Sequence, residues 1–423
     1  MTNKHETLKS LFDDIAVAIR GTSPITEDIV ADNFPAYVRA GNRTDCPATP
    51  SDLLSCSDSF IEWVVQNNLQ QTFWGGDFTF LRNLPTVSFS VSNKRIPGVA
   101  YDTTTDRYYS VGSDSTNIID DCYVYILNND LTQEKVSTAQ FTSTTLFSNH
   151  PSCVEVVDGY CIAGFNGNTK SATLNRAFFS FPIPASVSSN IQGNGWRNSA
   201  ILYQVNASAK ADNGSVYFYG SYSTAAGSAA VFSVSSGSLS SSSHWGLGNV
   251  SENSPFIAAS SYNGYPVTIT QRALLVLPLR ATINNNGSGS YKKCQLGSSE
   301  EGIDLFTVGD YLVACTKVSD GNYKLYFGSN SNPESFSKDN FMVGTCTKPV
   351  KGIFYVNELY ILIYEDGTTS VRKSLNSNDI FSRSIVSYSN VSIRETQMIN
   401  NKIIITGWEG TNLENSFVSY YSL

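Results

Sequence analysis

Two stretches late in the chain decide its fold: Gly309-Asp310-Tyr311-Leu312-Val313-Ala314 and Asn357-Glu358-Leu359-Tyr360-Ile361-Leu362-Ile363. In each, a polar pair suited to the φ > 0 positions of a hairpin turn leads directly into an apolar run too short for a helix. The unit recurs. Thr103–Asp106, Asp158-Gly159, Asn213-Gly214, Asn263-Gly264 and Asn400-Asn401 complete a series of seven turns, spaced by about 55, 55, 50, 46, 48 and 43 residues. Ile403-Ile404-Ile405 follows the last of them. Short strands repeating at such a period predict a mainly β chain, a β-propeller with four strands per blade, and seven turns predict seven blades. A two-sheet sandwich would not need so regular a period.

A propeller must close. After the last turn about 22 residues remain, room for two strands. The missing strand has to come from the other end of the repeats, because an open edge exposes a row of backbone donors and acceptors. Thr86-Val87-Ser88-Phe89-Ser90-Val91 alternates cleanly and is expected to pair with the last blade near Phe417-Val418-Ser419-Tyr420. Upstream, Ser57 to Leu69 reads as a helical stretch carrying Phe60, Ile61, Val64 and Val65, broken by Gly75-Gly76. The organisation expected is therefore an attachment module over 1–45, a small helical linker over 46–77 and the propeller over 78–423.

Bulk properties narrow the function. The 423 residues carry a net charge of −8, only 15% are charged, and no basic run occurs, which argues against binding through phosphate neutralisation. No stretch approaches a membrane span, and the polar N-terminus lacks a signal peptide's apolar core. Eight cysteines include no C-x-x-C. Cys161 and Cys315 sit in apolar runs, where thiols act as small core residues, while Cys46 and Cys56 are close enough in sequence to pair.

The N-terminus supplies the sharpest functional signal. Leu8, Leu11, Phe12, Ile15, Ala16 and Ile19 fall on one helical face, with Asn3 and Glu6 as a start signal and Gly21 as a stop. Such a helix is marginal alone in water, so its stripe needs another copy or another protein to cover it. The residues Leu8-Lys9-Ser10-Leu11-Phe12-Asp13-Asp14-Ile15-Ala16-Val17-Ala18-Ile19-Arg20, followed by Asp32-Asn33-Phe34-Pro35, resemble a module at the N-termini of tailed-phage tail and baseplate proteins. That module reads L-x-x-L-F-x-x-I-A-x-A-I-R and then D-x-F-P; the likeness covers roughly residues 6–36 and departs at Gly21-Thr22, where Lys-Thr-Gly is usual. The resemblance implies a virion protein, made in the host cytoplasm and docked to other tail or baseplate proteins. Leu8, Leu11, Phe12, Ile15, Ala16, Ile19, Phe34 and Pro35 would mediate docking or oligomerisation, trimers being common for such appendages. The propeller would then face a host receptor, a glycan among the candidates.

Catalytic motifs are absent, so an enzyme is not expected, and neither is a cofactor. His5, His150 and His244 lie far apart, outside any metal-binding spacing. The acids Asp114, Asp120, Asp121, Asp310, Glu358 and Asp366 lie in or near turns, where carboxylates usually accept local hydrogen bonds. The alternative function is a propeller glycoside hydrolase acting on surface polysaccharide. It would need two facing carboxylates, and for sialidase-like chemistry a convergence of arginines such as Arg107, Arg272, Arg280, Arg372 and Arg394. A kelch-like cellular interaction protein is a third class. For ligand binding, the aromatics Trp196, Trp245, Tyr262 and Tyr265 stand out, since they fall in loop-like segments beside Asn and Ser and could stack on sugars.

Overall fold

The polar pairs meet the geometry their turns require. Asp158 and Gly159 take φ of 46° and 78°, Asn357 and Glu358 take 49° and 65°, and Asn400 and Asn401 take 51° and 55°. Positive φ at both central positions matches the right-handed twist of the flanking strands, which is why Asn, Asp and Gly recur there. The computed structural model describes residues 43, 45, 53–67, 69–74, 85–114, 122–141, 151–165, 178–187, 191–196, 204–210, 216–223, 226–235, 238–246, 256–276, 292–329, 340–384, 390–411 and 414–423. The expectations for the N-terminal helix, the Asp32–Pro35 segment, Asn213-Gly214, Asp120, Asp121, Arg280 and Cys46 lie outside them.

Each turn joins an innermost strand to the next one out. Glu301–Val308, Tyr311–Lys317, Tyr323–Gly328 and Met342–Cys346 form one four-stranded antiparallel sheet, and Val350–Val356, Leu359–Tyr364, Thr368–Arg372 and Phe381–Ser384 form the next. The second strand of each is buried almost throughout because a neighbouring sheet covers each of its faces. Continuous apolar runs such as Leu359–Tyr364 follow from that, where a sheet wetted on one side would alternate.

The cores lie between consecutive sheets and run around the molecule. One joins Val313, Leu325 and Phe327 to Ile353, Leu362 and Tyr364. Another joins Tyr109, Val111 and Val124 to Ala163, Phe179 and Phe181. The circle closes at a seam: strand Thr86–Val91 is the outermost strand of the last sheet, with Thr86 opposite Tyr420, Phe89 opposite Val418 and Val91 opposite Ser416. Side chains pin the seam further. The Ser416 hydroxyl accepts from the Ile96 N–H at 3.0 Å, the Trp408 indole donates to the Ile96 carbonyl at 2.8 Å, and Gln397 donates to the Val99 carbonyl at 2.6 Å.

Hydrogen bonding divides the described residues into six sheets rather than the seven blades expected. The difference arises in one place. A nine-stranded sheet contains two up-and-down meanders, and Gln192 and Gly193 pair in parallel with Gln140 and Phe141 to join them edge to edge.

Residues 53–67 and 69–74 pack into the propeller. Helix α1 (Asp58–Gln66) begins at Ser57, whose hydroxyl accepts from the Phe60 N–H at 3.2 Å, and helix α2 spans Gln70–Trp74. Phe60, Ile61, Val64 and Val65 are buried in one core with Leu359 and Ile361 of one sheet and Ile403, Ile405 and Phe417 of the last. Each such side chain contributes about 1.5–3 kcal/mol on burial. Lys373 secures the start of α1, pairing with Asp58 at 3.1 Å and donating to the Cys56 carbonyl. Cys161 and Cys315 are buried free thiols within the strands.

Candidate functional site at the mouth of the ring

Six of the innermost strands share a feature that builds the axis. Their pairing registers shift at Pro151/Cys153, Val205/Ala207, Phe256/Ala258, Gly302/Asp304, Val350/Gly352 and Ile393/Glu395. An extra residue at such a bulge bends the strand and re-aims its side chain. Two of these residues reach across to the neighbouring innermost strand: Ser152 donates to the Val205 carbonyl at 2.5 Å, and Asn206 to the Phe256 carbonyl at 2.9 Å. A third, Lys351, bridges another pair of innermost strands with charge, its Nζ 3.0 Å from Asp304 Oδ2.

Three carboxylates line the innermost strands. Asp304 is paired with Lys351, and its charge holds the Lys351 ammonium above its ordinary pKa despite burial. Glu155 accepts from the Ser208 hydroxyl at 2.8 Å, and burial raises its pKa against that bond. Glu395 has support from the Gln397 side chain alone, outweighed by burial. Its Oε2 is enclosed and accepts no hydrogen bond among the described residues, and it sits 1.2 Å from where a Cβ on Gly98 would lie. The glycine is needed because the carboxylate fills the space a side chain would take. Burial first, then the charge of Glu155, pushes Glu395 up to about 8, so it is largely protonated at neutral pH.

Where four of these strands end, they frame a cavity of about 450 Å³. Ser260, Phe306, Thr307, Tyr355, Gln397 and Met398 contribute to its lining. The Ser260 and Thr307 hydroxyls are 2.9 Å apart, and Thr307 also donates to the Ser261 carbonyl at 2.7 Å, which fixes one wall. Tyr355 is 48% exposed and Met398 46%, so large apolar side chains stand in water at the rim. The volume is in the range of small-ligand and peptide side-chain sites. The described residues contain no group of three or more metal-ligating side chains.

The aromatic candidates are not brought together here. Tyr262 is 1% exposed, and its hydroxyl donates to the Asp310 carbonyl at 2.7 Å, so it is a core residue that ties two sheets and is unavailable to a ligand. Tyr265, across the same turn, is half-buried against that core. Trp196 and Trp245 lie in strands Gln192–Trp196 and Ser238–Gly246 rather than loops, in two different sheets, and their side chains are outside the described set. The period-2 signal was weak there because Gly and Ser dominate both segments.

Turn acids behave as local acceptors. Asp366 accepts from the Thr368 N–H at 3.0 Å and its hydroxyl at 2.7 Å, while Asp310 and Glu358 are exposed. The arginines do not converge. Arg107 pairs with Glu134 at 2.6 Å, Arg272 lies 3.9 Å from Glu301, Arg372 pairs with Asp379 at 2.5 Å, and Arg394 stacks on Trp408 at 4.4 Å. Of the residues that do meet at the axis, Glu155 and Asp304 carry a sequence signal: each is a charge between apolar residues in the strand that precedes a turn, Val154-Glu155-Val156 and Ile303-Asp304-Leu305, whereas Glu395 follows Arg394 in a polar strand and carries none.

In sequence, the chain matches no family model and no curated protein. In three dimensions it is similar to the Pan2 WD40 domain of Neurospora crassa, at 13% identity and a TM-score of 0.50, over 79% of this chain and 94% of that one. BamB from Moraxella catarrhalis aligns at 12% identity with a TM-score of 0.43, over 80% and 90% of the two chains. A post-proline cleaving enzyme from Rickettsia typhi aligns at 10% and 0.44, over 76% of this chain and 50% of that one. At these identities the Pan2 likeness speaks for fold alone: this chain is a β-propeller.

Proposed function

We propose that this chain is a binding protein of a tailed-phage virion, docked to tail or baseplate through residues 1–45 and presenting the mouth of its propeller to a receptor on the host surface. The observation that carries the binding role is the mouth itself, a pre-formed cavity of about 450 Å³ rimmed by exposed Tyr355 and Met398. Attachment rests on the sequence likeness of residues 6–36, and the stripe from Leu8 to Ile19 suits self-association as a trimer. In this reading the two meanders of the nine-stranded sheet count as separate blades, giving a seven-bladed ring. The test is particle assembly and adsorption. Deleting residues 1–45 should abolish incorporation into particles, and the double substitution Tyr355→Ala/Met398→Ala should leave assembly intact while reducing host adsorption. Adsorption unchanged by the double substitution would exclude the mouth.

One observation favours a second reading, a glycoside hydrolase. Such chemistry would draw its acid and second carboxylate from Glu395, raised to about 8 first by burial, and Glu155, both of which would have to become accessible to a sugar. Release of reducing sugar from host envelope polysaccharide, lost in Glu395→Gln, would establish it; the binding reading expects no release.

A further inference from the structure

A second cavity, of about 500 Å³, lies on the opposite face of the ring, between the turn at 318–322 and the segment at 374–379 of the next sheet. Its walls are fixed from beneath. Arg372 is 4% exposed, pairs with Asp379 at 2.5 Å, and donates to the carbonyls of Thr345 at 3.0 Å and Leu375 at 3.3 Å. One side chain thus ties the segment to its own sheet and to the outer strand of the preceding one. The approach is close: a Cβ on Gly344 would stand 2.1 Å from the Leu375 carbonyl oxygen. Within the segment the Ser377 N–H donates to the Ser374 carbonyl at 3.1 Å, and the Ser374 N–H donates to the Ser377 hydroxyl at 3.2 Å. The facing turn is equally closed, with the Val318 N–H donating to the Asn322 carbonyl at 2.8 Å.

The lining chemistry disfavours anionic ligands. Both cations are already committed, Arg372 to Asp379 and Lys324 to Glu300 at 2.8 Å. Asp320 adds an exposed negative charge, held below the ordinary carboxylate range first by the Asn322 backbone N–H. A phosphate, carboxylate or sulfate would therefore meet repulsion without a free counter-charge. The rest of the lining mixes amide and hydroxyl groups of Asn376, Asn378, Thr345 and Thr347 with apolar surface from Val318, Cys346 and the half-buried ring of Tyr323. Groups that both donate and accept, set beside one aromatic face, match vicinal hydroxyls and the C–H face of a sugar ring.

We infer that this inter-sheet groove is a binding site for an uncharged saccharide. The inference deepens the host-binding reading and rests on it for its biological setting, while its geometry stands independently. Calorimetric titration of the full chain with hexasaccharides of glucose, mannose, galactose and N-acetylglucosamine tests it. At least one should bind, with affinity lowered about tenfold or more by Tyr323→Ala or Asn378→Ala and kept by Tyr323→Phe, which preserves the stacking face. Val87→Lys, exposed on the outermost strand of the last sheet and away from both cavities, should change nothing, and circular dichroism should show each variant folded. No heat with any of the four sugars, or binding that survives Tyr323→Ala, overturns the assignment. Sugar binding without host adsorption would sink the host-binding reading and leave the groove standing; adsorption without sugar binding would do the reverse.

Discussion

Truncating Phe89 to alanine should weaken the ring at its seam. Phe89 is 5% exposed and packs with Ile96, Tyr108, Tyr125 and Leu127 on one side and Ile404 and Val418 of the last sheet on the other. Its ring meets Tyr125 edge-on, with centroids 5.3 Å apart. Removing a buried phenylalanine costs about 3–5 kcal/mol, of which about 0.5–1.5 belongs to the aromatic pair. Against a typical net stability of about 5–15 kcal/mol, that is a large fraction. The same strand carries its own control: Val87, 45% exposed, faces water, so Val87→Lys should cost no more than about 0.5 kcal/mol. Equilibrium urea unfolding followed by tryptophan fluorescence reads both, as a lowered midpoint at unchanged slope for Phe89→Ala and an unmoved midpoint for Val87→Lys. A loss below about 1 kcal/mol for Phe89→Ala, or equal losses for the two variants, would refute a closure that depends on this strand.

Three further outcomes follow from the axis and the core. Gly98→Ala places a methyl 1.2 Å from Glu395 Oε2 and should destabilise by about 1–3 kcal/mol, and adding Glu395→Ala should recover part of that, measurable as a double-mutant coupling. Glu395, raised from 4.5 to about 8 in the folded protein, favours folding most below pH 4.5 and loses that contribution as pH rises through 8. Urea midpoints should therefore fall across this window by an amount on the order of 1–4 kcal/mol in the wild type, and should fall less in Glu395→Gln. Burial pushes the Cys153 thiol up to about 12 and raises Cys161 and Cys315 as well, so peptide mapping should find all three unlabelled by maleimide in the native protein and labelled in urea.

The propeller was legible because its turns are chemically explicit. Asn357-Glu358 and Asn400-Asn401 announce positive φ, and the apolar runs after them announce strands covered on both faces. The edge-to-edge pairing at Gln192-Gly193 left no such trace, since a two-residue parallel bridge has neither period nor turn signature. Residues Phe60 to Val65 read as a helix, yet their amphipathic face could not say that it is wedged between two sheets, because a stripe specifies that it needs cover without specifying what covers it. The site was less legible than the fold. Tyr262 was attractive as an aromatic beside Asn263-Gly264, but it ends strand Phe256–Tyr262 inside the core, with its hydroxyl on the Asp310 carbonyl. Glu155 and Glu395 lie far apart in sequence, and only ring closure brings them into electrostatic reach.

A binding surface at the mouth of the ring is most directly tested by position-specific crosslinking. A photo-reactive side chain placed at Tyr355 or Met398 in the full chain should crosslink to a component of the surface fraction of the host cells, while one at Met342, equally exposed at 46% on an outer strand, should not. Equal yields from all three positions, or crosslinks from Met342 alone, would contradict the account.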